Sequence, residues 1–276
     1  MEMISFPDGT LVPALGQGTW MMAEAADRRA EEIQALRTGI DLGMTLIDTA
    51  EMYADGESER LVGEAISGLR DSIFLVSKAY PQNASRGRLA QACEASLKRL
   101  GTDRLDLYLL HWRGSVPLAE TVEAMESLVA AGKILRWGVS NLDADDMEDL
   151  FGAGGDNCQT DQILYNLTRR GPEHDLVPWL SHHRVPVMAY SPVEQGRLLA
   201  HTDLAAFAAE RGVTAAQLAL AWLLAQPGTI AISKAGSANH VRENRAAADL
   251  ELVAEDLRRL DGLFPRPRGR VPLEML

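Results

Sequence analysis

The chain has 276 residues, 46% of them hydrophobic and 24% charged, a length and balance that suit one globular domain with a sizeable core. Acidic side chains outnumber basic ones 39 to 27, giving a formal net charge of −12. That charge argues against nucleic acid or an anionic membrane as a partner, because phosphate binding needs a basic face.

The two cysteines, Cys93 and Cys158, make no disulfide framework, and Cys93 falls on the apolar stripe of a helix, as a buried thiol would. Met1-Glu2-Met3 lacks the basic start and apolar run of a signal peptide. No apolar run is long enough to span a bilayer. A cytoplasmic protein is expected.

In chain order, Ile4-Ser5-Phe6, Pro7-Asp8-Gly9 and Thr10-Leu11-Val12 read as a β-hairpin, suited to plugging the bottom of a barrel. Short apolar runs then alternate with helical stripes. Strands are expected near 14–18, 45–49, 73–78, 105–110, 135–139, 158–162, 186–190 and 229–232. Leu89, Ala92, Cys93, Ser96, Leu97 and Leu100 recur at helical spacing, and Leu118, Val122, Met125, Leu128 and Val129 do the same before Gly132. Thr214-Ala215-Ala216-Gln217 has the form of a capping box that opens another helix. Two segments exceed this rhythm, 193–212 and 250–276. The Arg-Pro-rich stretch Pro265 to Arg270 reads as an irregular flap or a loose end. Eight strand–helix repeats predict a single-domain (β/α)8 TIM barrel over residues 1–276, with an N-terminal hairpin cap and extra C-terminal helix and loop.

The strand ends carry the chemistry. The predicted runs close on Asp48, Lys78, His111, Ser140-Asn141, Gln162, Tyr190-Ser191 and Lys234, and in such a barrel the C-terminal strand ends form the active face. Asp48, Tyr53, Lys78 and His111 suit proton donation to a developing alkoxide. A phenol is a weak acid near neutrality, a neighbouring ammonium favours its ionised form, and a carboxylate keeps that ammonium charged. A histidine can orient the substrate oxygen. Each residue also has a plain structural reading: a capping Asp, a rim Tyr, a solvated Lys, a core His. Their order on one predicted face is what favours chemistry.

Gly16-Gln17-Gly18 imitates a dinucleotide-binding loop, but Met21 stands at the third glycine position. The adjacent His182 and His183 lack a ligand set at metal-site spacing, so no metal is expected.

The stretch Gly43 to Tyr53, with Glu59 and Gly63, resembles the first signature of the aldo-keto reductases. Gly132 to Asn141 resembles the second, and Ile232-Ser233-Lys234 through Glu243-Asn244 the third. Within that family the C-terminal segment is similar to small bacterial reductases of short reactive aldehydes and 2-oxoaldehydes. The resemblance implies NADPH-dependent carbonyl reduction, with Tyr53 as acid, Lys78 and Asp48 tuning it, and His111 orienting the carbonyl. It implies that Ser140, Asn141 and Gln162 hold the carboxamide, that Tyr190 stacks on the nicotinamide, and that Ser191 begins the loop straddling the pyrophosphate. Thr19 and Trp20 would approach the cofactor, and Trp20 and Trp112 would wall the substrate pocket. Lys234 and Ser237 would meet the 2′-phosphate, with Glu243 and Asn244 at the adenine.

Three departures from the family pattern stand out. Ala54 replaces a frequent Gly, and Ser233 a frequent Pro. His240 replaces an Arg that clasps the 2′-phosphate, which removes a fixed charge and predicts NADPH preference with weaker discrimination against NADH. Two other readings remain at this stage. One is a cofactor-sensing regulatory subunit on the same barrel. The other is an aldolase using Lys78 as a Schiff-base nucleophile. The short connection from His111 to Pro117 predicts an open pocket for small carbonyl substrates, and a monomer is expected.

Overall fold

The computed structural model describes residues 1–276. Eight parallel strands close into a barrel: β3 (Leu15–Gly18), β4 (Leu46–Asp48), β5 (Phe74–Ala79), β6 (Leu107–Leu110), β7 (Trp137–Ser140), β8 (Asp161–Leu164), β9 (Val187–Tyr190) and β10 (Thr229–Lys234), with β10 pairing back to β3. Their near-continuous burial is what helices on the outside and side chains on the inside impose on a parallel sheet. The interior is filled. A Cβ at Gly16 would lie 2.6 Å from Leu46 Cδ2 and 2.9 Å from Ile232 Cδ1, so only glycine fits that layer. Between the strands run α1 (Arg29–Asp41), α2 (Glu57–Ala65), α3 (Arg86–Leu100), α4 (Leu118–Ala130), α5 (Ala144–Gly152), α6 (Leu176–His182), α8 (Ala215–Leu224) and, after β10, α9 (Ala238–Ala247).

The hairpin of β1 (Met3–Ser5) and β2 (Leu11–Pro13) pairs Ile4 with Val12. Ile4, Phe6 and Val12 are buried in one apolar cluster with Leu46, Val76, Leu107, Leu109, Met188 and Ile230 from the barrel interior. The hairpin therefore closes the barrel floor, as its sequence suggests. Asp8 N–H donates to Gln159 Oε1 at 3.1 Å, which pins the turn to the loop before β8.

The two segments in excess of the repeat hold α7 (Thr202–Glu210) and α10 (Ala254–Leu263). Thr214 and Gln217 make the expected capping box at the start of α8. The sixth barrel strand starts later than the 158–162 reading: Cys158 to Thr160 form a loop, with Thr160 Oγ1 donating to Pro186 O at 2.8 Å, and β8 begins at Asp161. Leu105 makes only an isolated bridge with Ile134, so β6 is shorter than expected.

The tail settles the choice between flap and loose end. Arg266 pairs with Glu173, Arg270 with Asp145 and Asp175, and Glu274 with Arg169. It runs as a strap back to the barrel mouth.

Candidate active site

Asp48 ends β4, Lys78 lies one residue before the end of β5, and His111 directly follows β6. Parallel register brings these ends together. Lys78 is fully buried, and its Nζ donates to Asp48 Oδ2 at 2.7 Å, to Tyr53 Oη at 2.9 Å and to Thr49 O at 3.0 Å. Tyr53 reaches this point from the loop after β4. Ala54 and Asp55 have left-handed φ of 48° and 52°, and Gly56 follows at 87°, so three consecutive residues turn the chain sharply into α2. The other oxygen of Asp48 accepts from Gln162 Nε2 at 2.8 Å, which links β4 to β8 across the barrel. The rings of Tyr53 and His111 lie edge to face, 5.8 Å apart.

The charge states follow from burial and neighbours. Burial opposes the Lys78 ammonium, but the Asp48 carboxylate and the Tyr53 phenol together hold its pKa above the ordinary lysine value. For Tyr53, burial is the largest influence and raises the phenol, with Lys78 pulling the other way. The ammonium acts in the expected direction, but in the resting site burial outweighs it. Lys78 shares its charge with Asp48, and a site closed to water favours the neutral phenol, which therefore holds its proton at rest. Burial, aided by Lys78, pushes His111 down to about 3. Its imidazole is neutral, with Nδ1 buried and unpartnered.

These residues form one end of a cavity of about 730 Å³, within the range of small-molecule and cofactor sites. Asp48, Tyr53, His111, Trp20, Trp112, Ser140, Asn141, Gln162, Tyr190 and Ser191 line it, and Lys234, His240, Glu243 and Asn244 extend it across the mouth. Polar side chains at the strand ends are held by one another. Ser140 Oγ donates to Gln162 O at 2.7 Å, Asn141 Nδ2 to His111 O at 3.0 Å, and Tyr190 Oη to Asn141 Oδ1 at 2.9 Å. Asn141 and Ser191 take left-handed φ of 59° and 54°, strain of the kind that gathers at functional sites. Ser191 Oγ is buried with no partner. A cavity of this volume, lined by polar side chains from Asp48 and Tyr53 to Glu243 and Asn244 and carrying an orphaned hydroxyl, fits a dinucleotide.

Three expected residues do not face this cavity. Lys78 sits behind Tyr53. Thr19 is fully buried, its hydroxyl donating to Asp48 O at 3.0 Å and accepting from Ser58 Oγ at 2.9 Å, so it props Asp48 from outside the cavity. Ser237 Oγ accepts from His240 N–H at 3.4 Å and caps α9. Ser233, the departure from proline, keeps β10 in register with Gln17 and accepts from Asn244 Nδ2 at 3.4 Å.

The imitation of a phosphate loop resolves as well: Gln17 Nε2 donates to Leu36 O and Met44 O, tying β3 to α1. His183 stacks on Trp179 with ring centroids 3.8 Å apart, a packing role.

Sequence reasoning missed the cover. Met275 and Leu276 from the tail, and Gln195, Gly196 and Leu199 from the segment before α7, wall the cavity. They add walls beyond the short His111–Pro117 connection, and the pocket stays open to solvent on this side, with Leu199, Met275 and Leu276 themselves exposed. Both segments had been marked by their excess length, but nothing local in them pointed inward.

A closed parallel barrel with a lysine-backed tyrosine and a neutral histidine at its C-terminal face has the form of a barrel oxidoreductase. The sequence model of the aldo/keto reductase family matches residues 14–264, and the chain belongs to that family. It is 52% identical to the methylglyoxal reductase YeaE of Escherichia coli, with 100% of this chain and 99% of that one covered. Two solved structures of an aldo/keto reductase from Klebsiella pneumoniae superimpose with TM-scores of 0.97 at 54% identity. One is in complex with NADP and acetate, covering 99% of both chains. The other is in complex with NADPH, covering 100% of this chain and 99% of that one. No helix is long and apolar enough to cross a membrane.

Proposed function

We propose that this chain is an NADPH-dependent reductase of small aldehydes and 2-oxoaldehydes, working as a single-domain cytoplasmic monomer. The observation that carries the reading is the 2.9 Å contact between Lys78 Nζ and Tyr53 Oη, with Tyr53 and His111 both on the cavity wall. The methylglyoxal reductase activity named for the Escherichia coli relative supports the substrate class. Two buried free thiols suit a reducing compartment.

NADPH, when bound, supplies a hydride to the carbonyl carbon. The residues of this chain do the rest. Neutral His111 directs the carbonyl oxygen toward Tyr53. Tyr53 donates its proton to that oxygen as the alkoxide forms, and Lys78 stabilises the resulting phenolate. Asp48 keeps Lys78 charged and in place. Ser140, Asn141 and Gln162 offer polar groups to the carboxamide, and Tyr190 offers a ring face, which fixes the geometry that hydride transfer demands. Trp20 and Trp112 wall the substrate side together with Met275.

A Schiff-base role for Lys78 is disfavoured by the same geometry. Its amine is held protonated and makes three hydrogen bonds, so it has no free lone pair for attack. The test is NADPH oxidation with methylglyoxal and other short aldehydes. Turnover with these substrates is the expected result. Tight NADPH binding with negligible turnover across the panel would favour the cofactor-sensing alternative and overturn this one.

A further inference from the structure

The replacement of an arginine by His240 leaves Lys234 as the only fixed cation that sequence reasoning assigns to the 2′-phosphate. The structure places a second one beside it. Arg28 lies in the short turn of 3-10 helix that leads into α1, far from β10 in sequence, yet its Nη2 donates to Gly236 O at 3.5 Å. A Cβ built at Gly236 would meet Arg28 Nη2 at 2.8 Å and Lys234 Nζ at 3.4 Å. The guanidinium and the ammonium thus flank one point, and the missing side chain of Gly236 leaves them room.

Two like charges at this spacing repel unless an anion lies between them. Neither is neutralised by the protein. Arg28 has only an exposed pair with Glu31 at 3.7 Å, a weak contact at such a site, and Lys234 has no carboxylate partner. Lys234 and His240 line the rim of the cavity that begins at Tyr53, and Glu243 and Asn244 of α9 line the same end.

We propose that Arg28 and Lys234 together clamp the 2′-phosphate of NADPH, with Arg28 supplying from the β3–α1 connection the guanidinium that position 240 lacks. A guanidinium presents a planar fork that matches two phosphate oxygens, whereas the lysine acts as a point charge. Gly236 is the cradle: any larger residue pushes the Arg28 head away. The consequence reverses the expectation drawn from His240 alone, because discrimination against NADH is restored from a different element. The inference rests on the NADPH reading above.

The test is calorimetric titration of the full chain with NADPH, NADH, adenosine 2′,5′-bisphosphate and AMP, for the unaltered protein, Arg28→Ala and Gly236→Ala. Arg28→Ala is expected to weaken NADPH and the bisphosphate about tenfold or more, as loss of a hydrogen-bonded charge pair implies. NADH and AMP should stay within about twofold, since neither carries the 2′-phosphate that Arg28 meets. Gly236→Ala should shift preference the same way, and should add little in the Arg28→Ala background because both act on one contact. If the unaltered protein prefers NADPH and Arg28→Ala leaves that preference intact, or weakens NADH equally, the clamp is wrong while the cofactor reading stands. If the unaltered protein does not prefer NADPH to NADH, both fall.

Discussion

Tyr53 is asked to be two things that conflict in water, a group that keeps its proton at rest and one that gives it up during turnover. Burial secures the first and Lys78, at 2.9 Å, the second. Because proton donation belongs to the transition state, Tyr53→Phe should lower kcat about 10²–10⁴-fold while leaving NADPH affinity within about twofold. Steady-state kinetics and a binding titration on the same preparation check both numbers.

His111 gives a second prediction at this scale. Its folded pKa, about 3, lies below the ordinary value of 6.5. Between those values the unfolded chain binds a proton at this site and the folded one does not. Stability from His111 is therefore fully present above about pH 6.5 and falls as pH drops toward 3, by at most about 1.4 kcal/mol per pH unit. Urea unfolding at pH 7, 6 and 5 should show a shallower decline in His111→Asn than in the unaltered protein. Parallel declines would contradict the buried, neutral imidazole.

Among the elements, the loop from β4 into α2 carries the clearest mismatch between sequence and conformation. Ala54 is held at φ 48°, a region that costs an L-residue about 1–2 kcal/mol and that glycine occupies freely. Ala54→Gly should raise unfolding free energy by about 0.5–1 kcal/mol, the strain relieved less the added flexibility of the unfolded chain. Chemical denaturation measures this directly, and no gain would mean that the loop relaxes around alanine without strain.

What the sequence made legible, and what it hid, also follows element boundaries. Asp48, Lys78 and His111 could be placed because each terminates or nearly terminates an apolar run, and a parallel barrel gathers such termini by construction. The start of β8 was misplaced because Cys158, Gln159 and Thr160 are as buried as a strand, and Gln159 N–H and Thr160 O even bond to Trp137 and Val139 of β7, while the side chains of Gln159 and Thr160 are spent on the hairpin and on Pro186 before β9. The tail was opaque for a stronger reason. Arg270 and Asp145 are 125 residues apart, and no local periodicity encodes such a pair. Arg28 and Gly236 are 208 apart, which is why the second cation beside Lys234 escaped a reading based on the last signature alone.

At the scale of the whole molecule, the barrel separates what keeps it folded from what makes it work. The floor is apolar and closed: Phe6 is 2% exposed, packs against Phe74 with ring centroids 5.6 Å apart, and shares a cluster with inward residues of five barrel strands. The mouth holds left-handed backbone at Ala54, Asn141 and Ser191, the buried Lys78–Asp48 pair and the orphaned polar atoms of His111 and Ser191, features that cost stability wherever they occur. The floor can offset those costs only because the strands connecting the two ends are rigid and fully paired, so that burial energy gained at one end holds geometry at the other.

Phe6→Ala tests this division. Truncating a buried aromatic should lower unfolding free energy by about 3–5 kcal/mol. Under conditions where the variant remains folded, kcat, KM and NADPH affinity should be unchanged, because the cluster meets the mouth only at its upper edge, through Ile232 on the cavity wall and Met188 under Gln162, and Phe6 lies at the opposite end. A loss of activity without loss of fold would mean that floor packing sets the spacing of Asp48, Lys78 and Tyr53 through Leu46 and Val76, their neighbours on β4 and β5 in that cluster. The two outcomes separate cleanly when thermal unfolding and steady-state kinetics are measured on the same sample.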